Sequence, residues 1–272
     1  VVMDPIGSVK VPKDSTLAML LAAQRRGWRL SYLELADLVL DNERPFGRMR
    51  ELEVVDDTRK WYRLGADSRE PLEALQVVLM RKDPPFDMEY VIATYILEHA
   101  EERGCLVVNK PRSLRDANEK LFALRFPQCC PPTLVSRFDR EIRDFHRQHR
   151  DIILKPLDAM GGASVFRVRA DDPNLSVIIE TLTDHGRRYA MVQRFIPEIR
   201  DGDKRILLVD GNPIPYALAR VPAPGETRGN LAAGGTGVAT PLSQRDQWIA
   251  QHLAPELKAR GILFAGIDII GD

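Results

Sequence analysis

No stretch of this sequence is apolar for long enough to suggest a membrane span. The longest runs, such as Val91 to Leu97 and Phe264 to Ile270, fall far short of the roughly 20 residues that crossing a bilayer requires. A surplus of either charge is also missing: 39 Lys and Arg balance 39 Asp and Glu, which removes the electrostatic pull toward nucleic acid or an anionic membrane surface. A small-molecule partner is expected instead. The N-terminus, Val1-Val2-Met3-Asp4-Pro5, lacks the basic start and apolar core of a signal peptide, so a cytoplasmic location is the default expectation. Cysteine is scarce. Cys105, Cys129 and Cys130 are odd in number, and adjacent Cys129 and Cys130 are poorly placed to bridge each other or to match a metal spacing, so reduced thiols are expected. The five histidines are scattered; His146 and His149, three apart on a charged helix, read as solvated rather than metal-bound. Two nucleotide motifs are absent as well, since no glycine-lysine-serine follows a glycine loop and no Gly-x-Gly-x-x-Gly follows the first strand. The chain starts on Val1 and stops at Ile269-Ile270-Gly271-Asp272 as an apolar strand is ending, and both ends are expected to be clipped.

What is present suffices for a large core. With 44% apolar residues the 272-residue chain is expected to form two or three packed subdomains. The first 119 residues alternate apolar runs and helical patterns in the rhythm of an open α/β sheet: Val1 to Met3, a helix from about Asp14 to Arg26, then Arg29 to Leu35. Asp14-Ser15 supplies an N-cap and Gly27 a C-cap for that helix. A buried strand at Val77 to Met80, a helix from Met88 to Arg103 closed by Gly104, and a strand at Leu106 to Val108 follow. From Lys120 a smaller α/β unit is expected, with strands at Thr133 to Ser136, Ile152 to Leu154, Val165 to Arg169 and Met191 to Arg194, and helices at Arg140 to Gln148 and Leu175 to Thr183. A third part opens with Arg205 to Val209, turns at Asp210-Gly211 and returns through Ile214 to Arg220 as a hairpin. The expected boundaries are residues 1–119, 120–198 and 199–272.

Lys155-Pro156 ends an apolar strand, and Met160-Gly161-Gly162-Ala163-Ser164 follows. Paired glycines let backbone N–H groups turn toward an anion, and a lysine at the strand end adds a full positive charge, which suits a polyphosphate. An ordinary hairpin turn is the alternative. Gln193-Arg194-Phe195-Ile196-Pro197 ends a strand and offers backbone groups for a purine edge and apolar bulk for its face. Asp201-Gly202-Asp203-Lys204-Arg205 is a charged turn entering a strand; a solvated hairpin start is its ordinary reading, and only its place near the expected hinge favours function. Between Val221 and Pro241 lies a Gly-, Ala- and Pro-rich segment with Arg228-Gly229-Asn230 inside it. Compact domains seldom hold structureless loops of that length, so a water-excluding lid is expected, with a disordered loop as the alternative. Asp268 interrupts an apolar strand and needs a cation or hydrogen-bond donors; magnesium is a natural candidate. Arg81-Lys82-Asp83-Pro84-Pro85-Phe86-Asp87 follows a buried strand, where charges often face a ligand crevice; a structural turn with a cis Pro84–Pro85 bond is an equal alternative.

Taken together these residues resemble the bacterial glutathione synthetase family of the ATP-grasp superfamily. The resemblance runs along nearly the whole chain and is most specific at Met80 to Asp87, Val108 to Phe122, Ile153 to Val168, Asp201 to Arg205, Glu226 to Gly235 and Gly266 to Asp272. It implies an α/β, ATP-grasp fold with an N-terminal open α/β (pre-ATP-grasp) domain that takes substrate, a small lid subdomain and a C-terminal subdomain. The implied reaction uses ATP and Mg2+ to join γ-glutamylcysteine to glycine through an acyl phosphate. By this resemblance Lys120 and Lys155 contact the nucleotide, Gly161, Gly162 and Ser164 form the phosphate loop, Gln193, Arg194, Phe195 and Ile196 form the adenine hinge, and Asp203 reaches the ribose. Arg205 and Arg220 lie beside the reacting groups, Arg228 and Asn230 belong to the lid, and Asp268 holds magnesium. A homo-oligomer, a tetramer, is implied too. Thr236 departs from the family, some of whose members carry a basic residue there. The remaining metal ligands, an acidic residue and an asparagine, are expected just after Asp272. Another ATP-grasp carboxylate–amine ligase and a non-catalytic nucleotide-binding protein are the competing expectations; residues Lys13 to Ser15 and Arg81 to Asp87 bear on the first.

Overall fold

The computed structural model describes residues 1–159, 161–221 and 236–271, without the side chain of Lys13. The chain divides into two units, Val1–Asp116 and Ala117–Asp272. Arg228 and Asn230, the centre of the expected lid, lie outside the described residues.

In the first unit, helix α1 (Ser15–Arg25) starts where Asp14 accepts from the N–H groups of Thr16 (2.6 Å) and Leu17 (3.0 Å), satisfying donors that have no partner inside the helix. It ends at Gly27, whose φ of 76° suits a residue without Cβ. Strands β1 (Leu30–Tyr32), β2 (Leu38–Asp41), β3 (Arg44–Val54) and β4 (Tyr62–Pro71) form an antiparallel sheet in the order β1-β3-β2, with β4 also on β3. Three of these strands have no counterpart in the sequence reading. The buried positions of β3 run Pro45, Gly47, Met49 and then Leu52, Val54, because an irregularity between Arg50 and Leu52 shifts the alternation by one residue. Strand β4 is exposed along nearly its whole length and has no apolar face to recognise.

Strand β5 (Val77–Leu79) pairs in parallel with β6 (Leu106–Val108), and between them in sequence lies α2 (Met88–Glu102), with α3 (Pro111–Asp116) closing the unit. Val2 bridges both Leu33 and Met80 in parallel, so the expected first strand is reduced to an isolated bridge. The Pro84–Pro85 bond is cis. Val2, Leu33, Leu72, Val78, Leu97 and Val107, all nearly inaccessible, form the core beneath α2.

The second unit holds two sheets. The first has the order β7-β10-β8-β9, built from β7 (Thr133–Ser136), β8 (Ile152–Pro156), β9 (Phe166–Val168) and β10 (Ala190–Arg194). Helices α4 (Asp139–His149) and α5 (Leu175–Thr183) pack on it through Ile142, Ile178, Ile179 and Leu182. Burying a side chain such as Ile152 or Leu154 stabilises the fold by about 1.5–3 kcal/mol. His146 is not solvated as expected. It shares the inner face of α4 with Ile142 and is 6% exposed, and its Nε2 donates to the Arg169 carbonyl oxygen at 2.9 Å.

The second sheet runs β12 (Asn212–Pro213), β11 (Asp203–Val209), β13 (Tyr216–Val221), β14 (Thr236–Pro241), with β15 (Phe264–Ile269) on the other side of β11. Ile206, Leu208, Ala217 and Ile269 face helix α6 (Gln244–Ala259), which begins with a reciprocal cap between Ser243 and Asp246. Among the described residues no helix is long and apolar enough to cross a membrane, and the three cysteines are free thiols.

Candidate active site

Lys155 sits near the end of β8, in register with Met191 of β10. Burial pushes its ammonium below the usual lysine value, and the neighbouring Lys120 pushes it further down. Two like charges held together in a half-buried place favour an anion between or beside them. Lys120 Nζ donates to the carbonyl oxygens of Ala159 (2.6 Å) and Leu157 (3.4 Å) and pairs with Glu119 at 2.6 Å. Lys120 therefore grips the entry to the glycine loop. Asn118 assists, its side-chain amide donating to Leu157 O at 3.5 Å while its Oδ1 accepts from the N–H groups of Lys120 and Leu121. On the outer side Arg188 meets Asp158 at 3.0 Å. Beyond these anchors Gly161, Gly162 and Ser164 all have positive φ (65°, 81° and 54°), and a Cβ on Gly161 would meet no heavy atom within 4 Å. Such backbone turns N–H groups outward, as a phosphate cradle requires.

The strand end at Gln193–Ile196 is more committed than its sequence suggests. The Arg194 N–H donates to Pro132 O at 3.0 Å and the Phe195 N–H to Asp151 O at 2.9 Å, so neither donor is left for a purine edge. Gln193 Nε2 bonds Thr133 Oγ1 at 3.0 Å. Phe195 is 9% exposed and carries the Arg167 guanidinium 3.6 Å from its ring centroid, where two bonds to Asp151 (3.0 and 2.7 Å) hold it. An adenine placed here would meet the apolar side chains and the groups that remain on Gln193 and Ile196.

The second sheet assembles the charged residues. Cross-strand register sets Asp203 opposite Arg220, and Arg205 opposite Asp268. Arg205 binds both oxygens of Asp268 at 2.7 Å. Arg220 donates to Asp203 through Nε at 2.8 Å and through Nη2, which also lies 2.9 Å from Asp268 Oδ1. Burial alone would raise the Asp268 carboxyl, but Arg205 and Arg220 outweigh it and hold the group below the usual aspartate range. Burial opposes the charge on Arg220, yet Asp203 and Asp268 hold its value up. Asp268, expected from its apolar strand to need a cation or hydrogen-bond donors, finds both in the two guanidinium groups of a four-membered cluster. Gly202 makes the close register possible. It adopts a φ of 102°, and a Cβ there would lie 2.4 Å from the Arg220 carbonyl oxygen.

In the first unit the two segments singled out in sequence meet. Arg81 donates from Nε to Thr16 Oγ1 (3.1 Å) and from Nη2 to Ser15 Oγ (3.0 Å). Asn118, the Asp158–Arg188 pair and the Asp151–Arg167 pair were missed in the sequence. Their partners are 30 or 39 residues away in the first two cases, and the third shows only as opposite charges flanking two strands that turn out to be neighbours.

Comparison with known proteins gives the chain its setting. A model of the prokaryotic glutathione synthetase N-terminal domain matches residues 1–115, and one of the prokaryotic glutathione synthetase ATP-grasp domain matches residues 119–272. The chain is 62% identical over 272 residues to a glutathione synthetase of Pseudomonas aeruginosa and 61% identical to that of Shewanella oneidensis, covering all of this chain and 86% of each relative. Among solved structures, a D-cycloserine synthetase superposes with a TM-score of 0.66 at 16% identity over 98% of this chain and 84% of its own. A RimK domain ATP-grasp protein from Sphaerobacter thermophilus does so with a TM-score of 0.62 at 16% identity over 100% and 86%. These two likenesses establish the ATP-grasp α/β fold.

Proposed function

The chain belongs to the prokaryotic glutathione synthetase family, and from that premise we propose that it joins γ-glutamylcysteine to glycine. It is an ATP-dependent ligase. In this reaction a cysteinyl carboxylate oxygen attacks the γ-phosphorus of ATP, the bond to ADP breaks, and an acyl phosphate forms. The glycine amine then attacks the acyl carbon, loses a proton and expels phosphate. Phosphoryl transfer of this kind needs positioning and positive charge rather than a protein nucleophile.

The observation that carries this reading is the meeting of two arginines and two aspartates on one sheet face, Arg205 and Asp268 exposed and Arg220 and Asp203 buried beside them, in the same unit as a lysine-flanked glycine loop. Lys155, Gly161, Gly162 and Ser164 take the phosphates, with Lys120 contacting the nucleotide while it fixes the loop entry. Phe195 and Ile196, with Gln193 and Arg194, bound the adenine, and Asp203 reaches the ribose. Arg205 and Arg220 orient the carboxylate and the transferred phosphoryl group and bear the charge that builds up between them. Arg228 and Asn230 retain the water-excluding role that the family implies.

No three His, Cys, Asp or Glu side chains gather as a metal cage among the described residues. Mg2+ commonly takes only one or two carboxylates and completes its shell with phosphate oxygens and water, and Asp268 fits as one such carboxylate. When bound, the ion would neutralise nucleotide charge. A cytoplasmic location suits the three free thiols, and we propose a homo-oligomer, a tetramer by family analogy.

The deciding experiment is ADP release with γ-glutamylcysteine plus glycine, compared with each substrate omitted and with other dipeptides. Turnover that requires both substrates is expected. Turnover indifferent to the γ-glutamyl dipeptide would overturn the substrate assignment.

A further inference from the structure

Strand alternation gives the first sheet of the second unit two unlike faces. Ile152, Leu154, Val168 and Val192 are buried against α4 and α5, so Ile153 and Lys155 point the other way. Register places Arg167 of β9 and Gln193 of β10 on either side of Ile153, on the face that carries Lys155. Asp151 precedes Lys155 by about 13 Å of extended chain, at roughly 3.3 Å per residue. That separation is of the order of the reach from base to terminal phosphate in an extended nucleoside triphosphate. At this far end Asp151 holds Phe195 in two ways. Its carbonyl oxygen accepts the Phe195 N–H at 2.9 Å. Its carboxylate accepts from Arg167 Nε at 3.0 Å and Nη2 at 2.7 Å, which lays the guanidinium 3.6 Å from the centroid of the Phe195 ring. The side chains of Arg167 and Asp151 are 27% and 35% exposed, so as an ion pair alone they add little to stability. Their geometry is more demanding than an ordinary surface pair needs: a two-pronged grip on a carboxylate and a flat stack on a ring are met together only by arginine.

We propose that Arg167 is a positioning residue for the nucleotide base: clamped by Asp151, it braces the Phe195 ring and so fixes the hinge groups of Gln193 and Ile196 at a set distance from Lys155. The inference rests on the phosphate and hinge assignments above, and adds to them the support that holds the base end in place. Arg167 acts through Phe195 and touches neither the phosphates nor the reacting carboxylate. A ligand made of phosphates alone is therefore indifferent to the clamp, whereas one that carries a purine depends on it.

The test is equilibrium titration of the wild type, Arg167→Ala, Arg167→Lys and Asp151→Asn with ATP and with inorganic tripolyphosphate. Arg167→Ala is expected to weaken ATP binding about tenfold, the scale of one desolvated cation–ring contact, and to leave tripolyphosphate binding unchanged; Arg167→Lys and Asp151→Asn should fall between. Steady-state ADP release gives an independent reading, in which KM for ATP rises by the same factor while kcat and KM for glycine stay near wild type. A loss shared equally by ATP and tripolyphosphate marks a general structural effect and overturns the proposal, as does an ATP affinity unchanged in Arg167→Ala. If Arg167→Ala does not fold, Arg167→Lys and Asp151→Asn decide by the same comparison. A wild type that binds tripolyphosphate as tightly as ATP overturns the hinge assignment and this inference together. An ATP-selective loss without γ-glutamylcysteine-dependent ADP release overturns the substrate reading alone and supports this one.

Discussion

Lys204 and Arg205 are neighbours on one strand, and each is paired with an aspartate, yet they live in different surroundings. Lys204 points back toward α6, where its ammonium lies 2.8 Å from Asp246; the two side chains are 15% and 0% exposed. Arg205 points forward to Asp268, with exposures of 46% and 40%. Strand alternation alone separates them. The rear pair belongs to the core and the cap of α6, and cannot release its partner without leaving a buried charge. The front pair can exchange its carboxylate for substrate, phosphate or a cation at little cost in stability, which is what a working site needs.

The sharpest way to break this contrast is to remove each cation in turn. Arg205→Ala is expected to lower kcat by about 10²–10³-fold, the range for loss of one donor to developing charge, with the thermal midpoint nearly unmoved. Steady-state ADP release beside a melting curve checks both. Lys204→Ala is expected to do the reverse, destabilising the fold by about 3–5 kcal/mol because the buried Asp246 charge loses its counter-ion and keeps only the cap bond from Ser243, while kcat per folded molecule stays near wild type. Urea unfolding measures the loss, and Lys204→Met combined with Asp246→Leu should recover most of it. If Lys204→Ala instead lost activity without losing stability, the division between the two faces would be wrong.

A smaller effect sharpens the comparison through pH. Because Asp268 is held below its ordinary value of 3.8, its contribution is fully present above that pH and fades as pH falls through the lowered value. Solvent screening keeps it small at an exposed pair. Asp268→Asn should therefore leave stability near neutral pH almost unchanged and flatten only the acid end of the unfolding profile. The smallest signal is calorimetric. Lys155 has a lowered value, and phosphate should restore it, so nucleotide binding in alkaline buffer below the ordinary lysine value of 10.5 should take up protons. Binding heats in two buffers of different ionisation enthalpy would reveal this, and equal heats would place the phosphates elsewhere.

Much of the second unit was legible because its strands are short, apolar and separated by helices with a clear inner face. The glycine loop, the Asp210-Gly211 turn and the cap at Asp14 were readable for the same local reasons. What escaped depended on partners distant in the chain. Strand β4 is visible only through its pairing with β3, and β3 hides its own period behind a bulge. Asp246 looks like an ordinary acidic residue in a first helical turn until Lys204 arrives from 42 residues away. His146 read as solvated because the charged residues around it masked the inner face it shares with Ile142.

Gly202 places a limit on redesign. With the Arg220 carbonyl oxygen occupying the space a methyl group would need, the entrance to β11 is a position that no library of substitutions can explore without parting Asp203 from Arg220. Anyone retargeting this ligase can vary the side chains on the sheet face around it, but must inherit the absence of one.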